Sequence, residues 1–278
     1  GRRSTIVSTN EPYDIIFTNL GTFSNDVKIG AFADITEIVQ TASPELYSLI
    51  DEDYWRAVSI DGKIYGVPTL KDVSVTQYFV WDAAMAEKYD PDYQSLNTLE
   101  SLTDTPAAIK EGENVTPFIL HREGLSAVTM DYDAMGTGLP PIGVNYNDET
   151  ATVVSVFEQE DVMSMLTTLH EWYQAGIINA DAATLAEAPM YRTCYVAQGW
   201  PYAAVTTWSP NMGVEATAVQ WGNTYLSNDT VQGSVSCISA SCAHPDKALQ
   251  LLELVNTDSY LRDALFFGLQ GENFQYVE

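Results

Sequence analysis

Basic residues are scarce in this chain of 278 residues: 12 Lys and Arg stand against 38 Asp and Glu, a formal net charge of −26. A surface this poor in cations cannot release counterions from a phosphate backbone, which excludes a general nucleic-acid binder. The same charge argues against an electrostatic anchor on anionic lipid. At long range it repels anions, so a neutral or cationic partner fits better. Cysteine is as rare. Cys194, Cys237 and Cys242 do not make a disulfide framework, and free buried thiols are expected. Cys237 and Cys242 are close enough in sequence to bridge, but spacing alone does not set the Cβ geometry. No run approaches about 18 apolar residues, so no membrane-spanning helix is expected. No signal peptide is visible. The chain opens Gly1-Arg2-Arg3-Ser4 without Met and reads as a cut or processed start.

Catalytic signatures are also missing. His170-Glu171 begins like a zinc-protease helix, but Gln174 stands where the second His ligand would be. Gly136-Thr137-Gly138 lacks both the third glycine and a preceding strand, so no dinucleotide fingerprint is present. There is no phosphate-cradling loop ending in Lys-Ser/Thr and no Gly-x-Ser-x-Gly elbow. Asp131 and Asp133 start like a calcium loop, but Met135 breaks it and no Glu closes it. The acidic clusters 51–53 and 158–161 offer carboxylate pairs of the kind used in glycoside hydrolysis. With 38 acids, a solvated face is the simpler reading of them. Neither a metal nor a cofactor is expected.

What is present describes a folded chain. Apolar residues make up 46%, and 6 Trp, 16 Tyr and 9 Phe set it apart from a disordered acidic tail. The length suggests about two domains. Tyr13 to Asn19 is a β-prone run ending in small polar residues, a strand feeding a loop. Ser43-Pro44 is a helix start, with Ser as cap and Pro in the first turn. Asp61-Gly62 joins 58–60 to 63–67 as a hairpin. Val73 to Val80 is β-rich and Ala83 to Tyr89 helical. A segment capped at Asn97-Thr98 is limited by Pro106, and Val115 to Leu120 reads as a strand. Residues 131–148 should be loop. In 161–175, Val162, Met165, Leu166, Leu169, Trp172 and Tyr173 share one helical face, closed by Gly176. Residues 191–197, 203–207 and 234–239 are β-like, and Pro245 opens a helix. Alternating strands and helices predict a largely parallel sheet flanked by helices.

Three segments stand out in order: Gly30-Ala31-Phe32-Ala33-Asp34-Ile35-Thr36, Trp55-Arg56-Ala57, and Asp61-Gly62-Lys63-Ile64-Tyr65-Gly66-Val67-Pro68. In that order they resemble the extracellular solute-binding proteins of ABC importers, in the branch of maltose-type binding proteins and Gram-positive lipoproteins. The first is similar to that family's G-A-F-x-D-L-T segment, and the other two resemble its aromatic-x-A and D/N-G-K-x-Y-x-x-P pieces, the most specific match. Ala175 to Asn179 resembles the end of the second-lobe helix. Cys242-Ala243-His244-Pro245 resembles the helix start on the return to the first lobe, and Gly268 to Phe274 a glycine-framed lipoprotein segment. The family begins with a further strand and helix before Tyr13, continues past Phe274, and carries a lipid-bearing Cys that this chain lacks. The chain is expected to be a fragment or a shortened protein.

The resemblance implies an α/β, two-lobe, type II periplasmic-binding-protein-like fold with parallel-dominated sheets. The first lobe would be residues 1–74 with 233–278, and the second 75–232. It implies a monomeric, non-enzymatic protein that captures a small extracellular solute, a carbohydrate first of all. Lobe closure would present the solute to an ABC permease, at the cell surface through a lipid anchor or in the periplasm. A secreted glycan hydrolase is the alternative. Ligands of such folds sit at the carboxyl ends of strands, and aromatic faces with planar polar groups suit sugars. On that model the candidate ligand residues are Thr18, Asn19 and Phe23 after the first strand, and His121, Arg122 and Glu123 after Leu120. Asp72 falls where maltose-type relatives place an acidic sugar contact, and Trp200 and Tyr202 where they place a stacking aromatic.

Overall fold

The computed structural model describes residues 5, 8–9, 11–71, 73–135 and 141–276. Asp72 and the Gly136-Thr137-Gly138 segment lie outside the described residues. Among those described, the strands are β1 (Ile15–Thr18), β2 (Ser59–Ile60), β3 (Lys63–Ile64), β4 (Val67–Pro68), β5 (Val75–Asp82), β6 (Tyr132–Asp133), β7 (Ile142–Asn145), β8 (Val154–Ser155), β9 (Cys194–Gln198), β10 (Ala216–Tyr225) and β11 (Val235–Ile238). The chain divides into two compact units, residues 1–73 with 226–278, and residues 74–225. Residues 226–232, expected in the second lobe, pack with the first unit. Val231 is buried in its core, and the Gln232 amide donates to the Ala57 carbonyl at 2.7 Å.

The first unit is built on the sheet β1-β11-β4. Ile15 pairs with Ile238 and Ile16 with Cys237, which places alternate apolar side chains in the core. Phe23, Ile35, Leu46, Val58 and Leu249 close that core from the flanking segments. The Asp61-Gly62 hairpin forms between β2 and β3, with both turn residues at positive φ (51° and 76°), a turn that suits the strand twist. The helix Pro44–Leu49 begins where expected, but Ser43 does not cap it. The Ser43 hydroxyl is buried and donates back to the Val39 carbonyl at 2.9 Å. Glu253, on the helix Pro245–Thr257, takes over the cap and accepts from the Glu45 and Leu46 amides at 2.7 and 3.0 Å.

The second unit is built on β10-β5-β9, with β5 in the centre. Its core joins Phe79 and Trp81 of β5 to Phe118, Trp172 and Cys194. Phe79 stacks on Trp221 at 4.7 Å, and Phe118 meets Trp172 edge-on at 5.3 Å. The helix Glu160–Gln174 buries Val162 and Trp172 on one face, and the Trp172 indole N–H donates to Thr103 Oγ1 at 3.0 Å. Tyr173, placed on that face by the sequence, is exposed instead, and its hydroxyl donates to the Ala180 carbonyl.

The parallel-dominated sheet is the main correction. Every strand pair among the described residues is antiparallel. Alternating strands and helices imply parallel pairing only when successive strands join by a crossover. In the sheets β1-β11-β4 and β10-β5-β9 neighbours come from distant parts of the chain, as β1 pairs with β11, and the remaining pairs are between successive strands. Parallel pairing survives at isolated bridges, where Phe118 meets Ile178 and Cys194. Val115 to Leu120 therefore contributes that bridge and no full strand. Residues 203–207, read as β, form a π-helical turn, Ala204–Trp208, stitched by the Ser209 hydroxyl donating to the Ala204 carbonyl at 2.7 Å. The stretch 131–148 holds β6 and β7. The helix expected after Asn97 starts later, as Asp104–Glu113, with Pro106 in its first turn. All three cysteines are free thiols.

Candidate functional site

In the first unit the structure separates the three residues grouped by sequence. Thr18 is 1% exposed and its hydroxyl lies 3.0 Å from that of Thr22. Phe23 is fully buried and stacks on Phe32 at 6.4 Å, so its ring face cannot meet a ligand. The cause is local. The chain turns straight from β1 into the helix Leu20–Lys28, and Phe23 and Val27, four apart, point at the core. Asn19 alone stays exposed, at the N-cap, where its carbonyl accepts from the Thr22 and Phe23 amides. Its side chain makes no capping bond. A concave feature of this unit lies elsewhere, a depression of about 500 Å3 lined by Asp51, Asp53, Tyr54, Leu70, Lys71 and other side chains. Asp51 is committed to capping its helix through the Asp53 amide, and Asp53 pairs with Arg56. Lys71 directly precedes Asp72.

In the second unit the candidates reach the surface. Trp200 is 50% exposed and Tyr202 75% exposed, on the loop that leaves β9. That loop is held from below. The Gly199 amide donates to the Thr76 carbonyl at 3.0 Å, and a Cβ on Gly199 would lie 2.5 Å from the Trp208 ring. Only glycine lets the backbone lie on buried Trp208 there. The Ala203 amide donates to the Trp200 carbonyl at 2.9 Å and closes the turn. Val205 is exposed beside these rings in sequence, so the segment 200–205 presents aromatic and apolar surface on a pinned backbone.

His121, Arg122 and Glu123 line a second depression, of about 470 Å3, with Glu187 and Arg192. The loop is clamped by Asn179, whose side-chain amide accepts from the Leu120 N–H at 2.8 Å and donates to the Leu120 carbonyl at 3.0 Å. The Arg122 amide donates to the Leu185 carbonyl at 2.8 Å. Arg192 stacks its guanidinium 3.7 Å above the Tyr195 ring, and burial pulls its pKa down. Burial pushes the Cys194 thiol well up, as it does the Tyr195 phenol. Arg192 was missed by sequence reasoning. The available signal was scarcity: Lys88, Lys110, Arg122 and Arg192 are the four cations of residues 74–225. Among the described residues, no group of three or more His, Cys, Asp or Glu is arranged to hold a metal ion. Asp34, Asp148 and Glu113 have shifted carboxyl groups, and each is shifted down: Asp34 to about 2, chiefly by the Thr36 hydroxyl, Asp148 to about 2, chiefly by the Thr150 hydroxyl, and Glu113 chiefly by Lys88. A general acid for glycoside cleavage needs the opposite direction.

A carbohydrate ABC transporter substrate-binding protein from Streptococcus pneumoniae serotype 4 is 28% identical over 296 residues, covering 100% of this chain and 57% of that protein. The crystal structure of the N-glycan transport solute binding protein NgtS from Streptococcus pneumoniae superposes with a TM-score of 0.87 at 27% identity, covering 100% of this chain and 62% of that one. The galacto-N-biose/lacto-N-biose I-binding protein of Bifidobacterium longum shares the fold at a TM-score of 0.61 and 16% identity, over 100% of this chain and 68% of its own. The chain thus spans about three-fifths of the length of the S. pneumoniae relatives it matches. Its α/β architecture is the solute-binding fold that these structures share. Residues 4–267 match the family model described as bacterial extracellular solute-binding protein, and the chain belongs to that family.

Proposed function

We propose that this protein is a non-enzymatic binding protein that captures a carbohydrate outside the cell for an ABC import permease. The observation that carries the reading is the pair of exposed rings, Trp200 and Tyr202, on a backbone pinned by Gly199 and Trp208. Aromatic faces stack on the C–H faces of sugar rings, and carboxylates and amides take the hydroxyls. Two relatives support the choice of ligand. One is named a carbohydrate ABC transporter substrate-binding protein, and the NgtS structures include complexes with Man1GlcNAc and Man5GlcNAc. Of the residues read from the sequence, Asn19, His121, Arg122, Glu123, Trp200 and Tyr202 remain the proposed contacts, with Asp72 as a further one. Thr18 and Phe23 leave the set because they are buried. The protein acts as a monomer, on the cell surface through a lipid anchor in the parent protein or in the periplasm. No helix among the described residues is long and apolar enough to cross a membrane.

Thermal unfolding with a panel of mannose- and N-acetylglucosamine-containing glycans, alongside a product assay, tests the reading. Ligand-dependent stabilisation with no product is expected. Cleavage of a glycan, abolished by replacing one carboxylate, would move the assignment to a hydrolase. No stabilisation by any saccharide would end it.

A further inference from the structure

We propose that the depression formed by residues 121–123, Glu187 and Arg192 is a subsite for the carboxylate of an acidic saccharide residue, a uronic acid in class. The inference rests on the carbohydrate reading and sharpens it. Two of the four cations of residues 74–225 converge on this one depression, while Lys88 is spent on Glu113. Among the described residues, neither Arg122 nor Arg192 has a carboxylate oxygen within 4.0 Å, in a chain with a threefold excess of acids. Among the described residues, the buried Arg192 Nε has no hydrogen-bond partner. A half-buried guanidinium without an anion carries an uncompensated desolvation penalty. Stacking on Tyr195 offsets part of it and fixes the plane of the fork. A carboxylate offered to that fork would supply the missing charge in its preferred bidentate geometry.

The neighbouring groups narrow the ligand. His121 Nδ1 accepts from the Glu123 amide at 3.2 Å, so the neutral ring carries its proton on Nε2 and has a donor left. The loop holding these groups is clamped through Leu120 and Arg122 before any ligand arrives. Glu123 and Glu187 on the same depression accept hydroxyls and repel a dianion. That combination selects one carboxylate on a hydroxyl-rich body over a dianion such as phosphate, the two arginines acting at short range against the long-range repulsion of a chain with a net charge of −26.

Arginine modification with phenylglyoxal, mapped by mass spectrometry on the whole chain, tests this directly. A uronic-acid disaccharide is expected to slow labelling of Arg122 and Arg192 at least fivefold. A neutral disaccharide of the same linkage, and acetate at equal concentration, should leave it unchanged. Arg122→Gln, on an exposed side chain, should weaken uronate binding at least tenfold and keep the melting temperature. Equal protection by the neutral sugar would overturn the carboxylate assignment. Equal protection by acetate would overturn the saccharide part of it. Uronate that stabilises the protein without protecting either arginine would place its site elsewhere and leave the carbohydrate reading standing. If no saccharide, acidic or neutral, stabilises the chain, both inferences fall together.

Discussion

The two units treat residues just past a strand end in opposite ways. In the first, β1 runs directly into a helix, and Phe23 falls on that helix's inner face at 0% exposure. In the second, β9 runs into a loop that cannot sink because Gly199 already rests on Trp208, and Trp200 stays out. Position after a strand therefore does not decide whether an aromatic residue is buried in the core or left at the surface. The element that follows does, through its periodicity in one case and a backbone contact in the other.

That contrast breaks most visibly at Phe23. Phe23→Ala should destabilise the first unit by about 3–5 kcal/mol, read as a lowered unfolding midpoint in denaturant. Were the ring a ligand contact instead, the loss would fall on affinity and spare stability. Trp200→Ala should do the reverse, weakening saccharide binding at least tenfold, about 1.4 kcal/mol, with the melting temperature unchanged. A smaller effect is expected at the borrowed cap. Glu253→Ala removes the acceptor for the Glu45 and Leu46 amides and should cost about 1 kcal/mol of stability, without touching binding. The smallest concerns Asp34, whose pKa is lowered to about 2, chiefly by the Thr36 hydroxyl and by Lys63. A carboxyl held below its unfolded value of about 3.9 stabilises fully above that pH and loses its contribution as the pH falls towards 2. Asp34→Asn should therefore flatten the acid limb of the stability profile between about pH 4 and 2. The group is partly exposed, so the change is slight.

The same contrast explains what the sequence disclosed. Local signals read well: the Asp61-Gly62 turn, the helix Ala83–Tyr89 and the amphipathic helix Glu160–Gln174 all form where their own residues demand. Strand direction did not, because the partner of β1 lies more than two hundred residues away and no local spacing encodes it. Val205-Thr206-Thr207 is β-branched yet helical, since burying Trp208 under Gly199 outweighs a weak β preference. Among the proposed contacts, Trp200 was legible from its place after a strand, where the resemblance puts a stacking aromatic. Arg192 was not, because its meaning lies in partners it lacks, and a sequence shows only the residues themselves.

The central claim is that the second unit's exposed aromatic loop grips a saccharide while the first unit's buried aromatic only packs. Calorimetric titration of the wild type and Trp200→Ala with the glycan that stabilises the wild type most tests it most directly. The account predicts at least a tenfold rise in Kd for Trp200→Ala at an unchanged melting temperature. Equal affinity in the two proteins would contradict it.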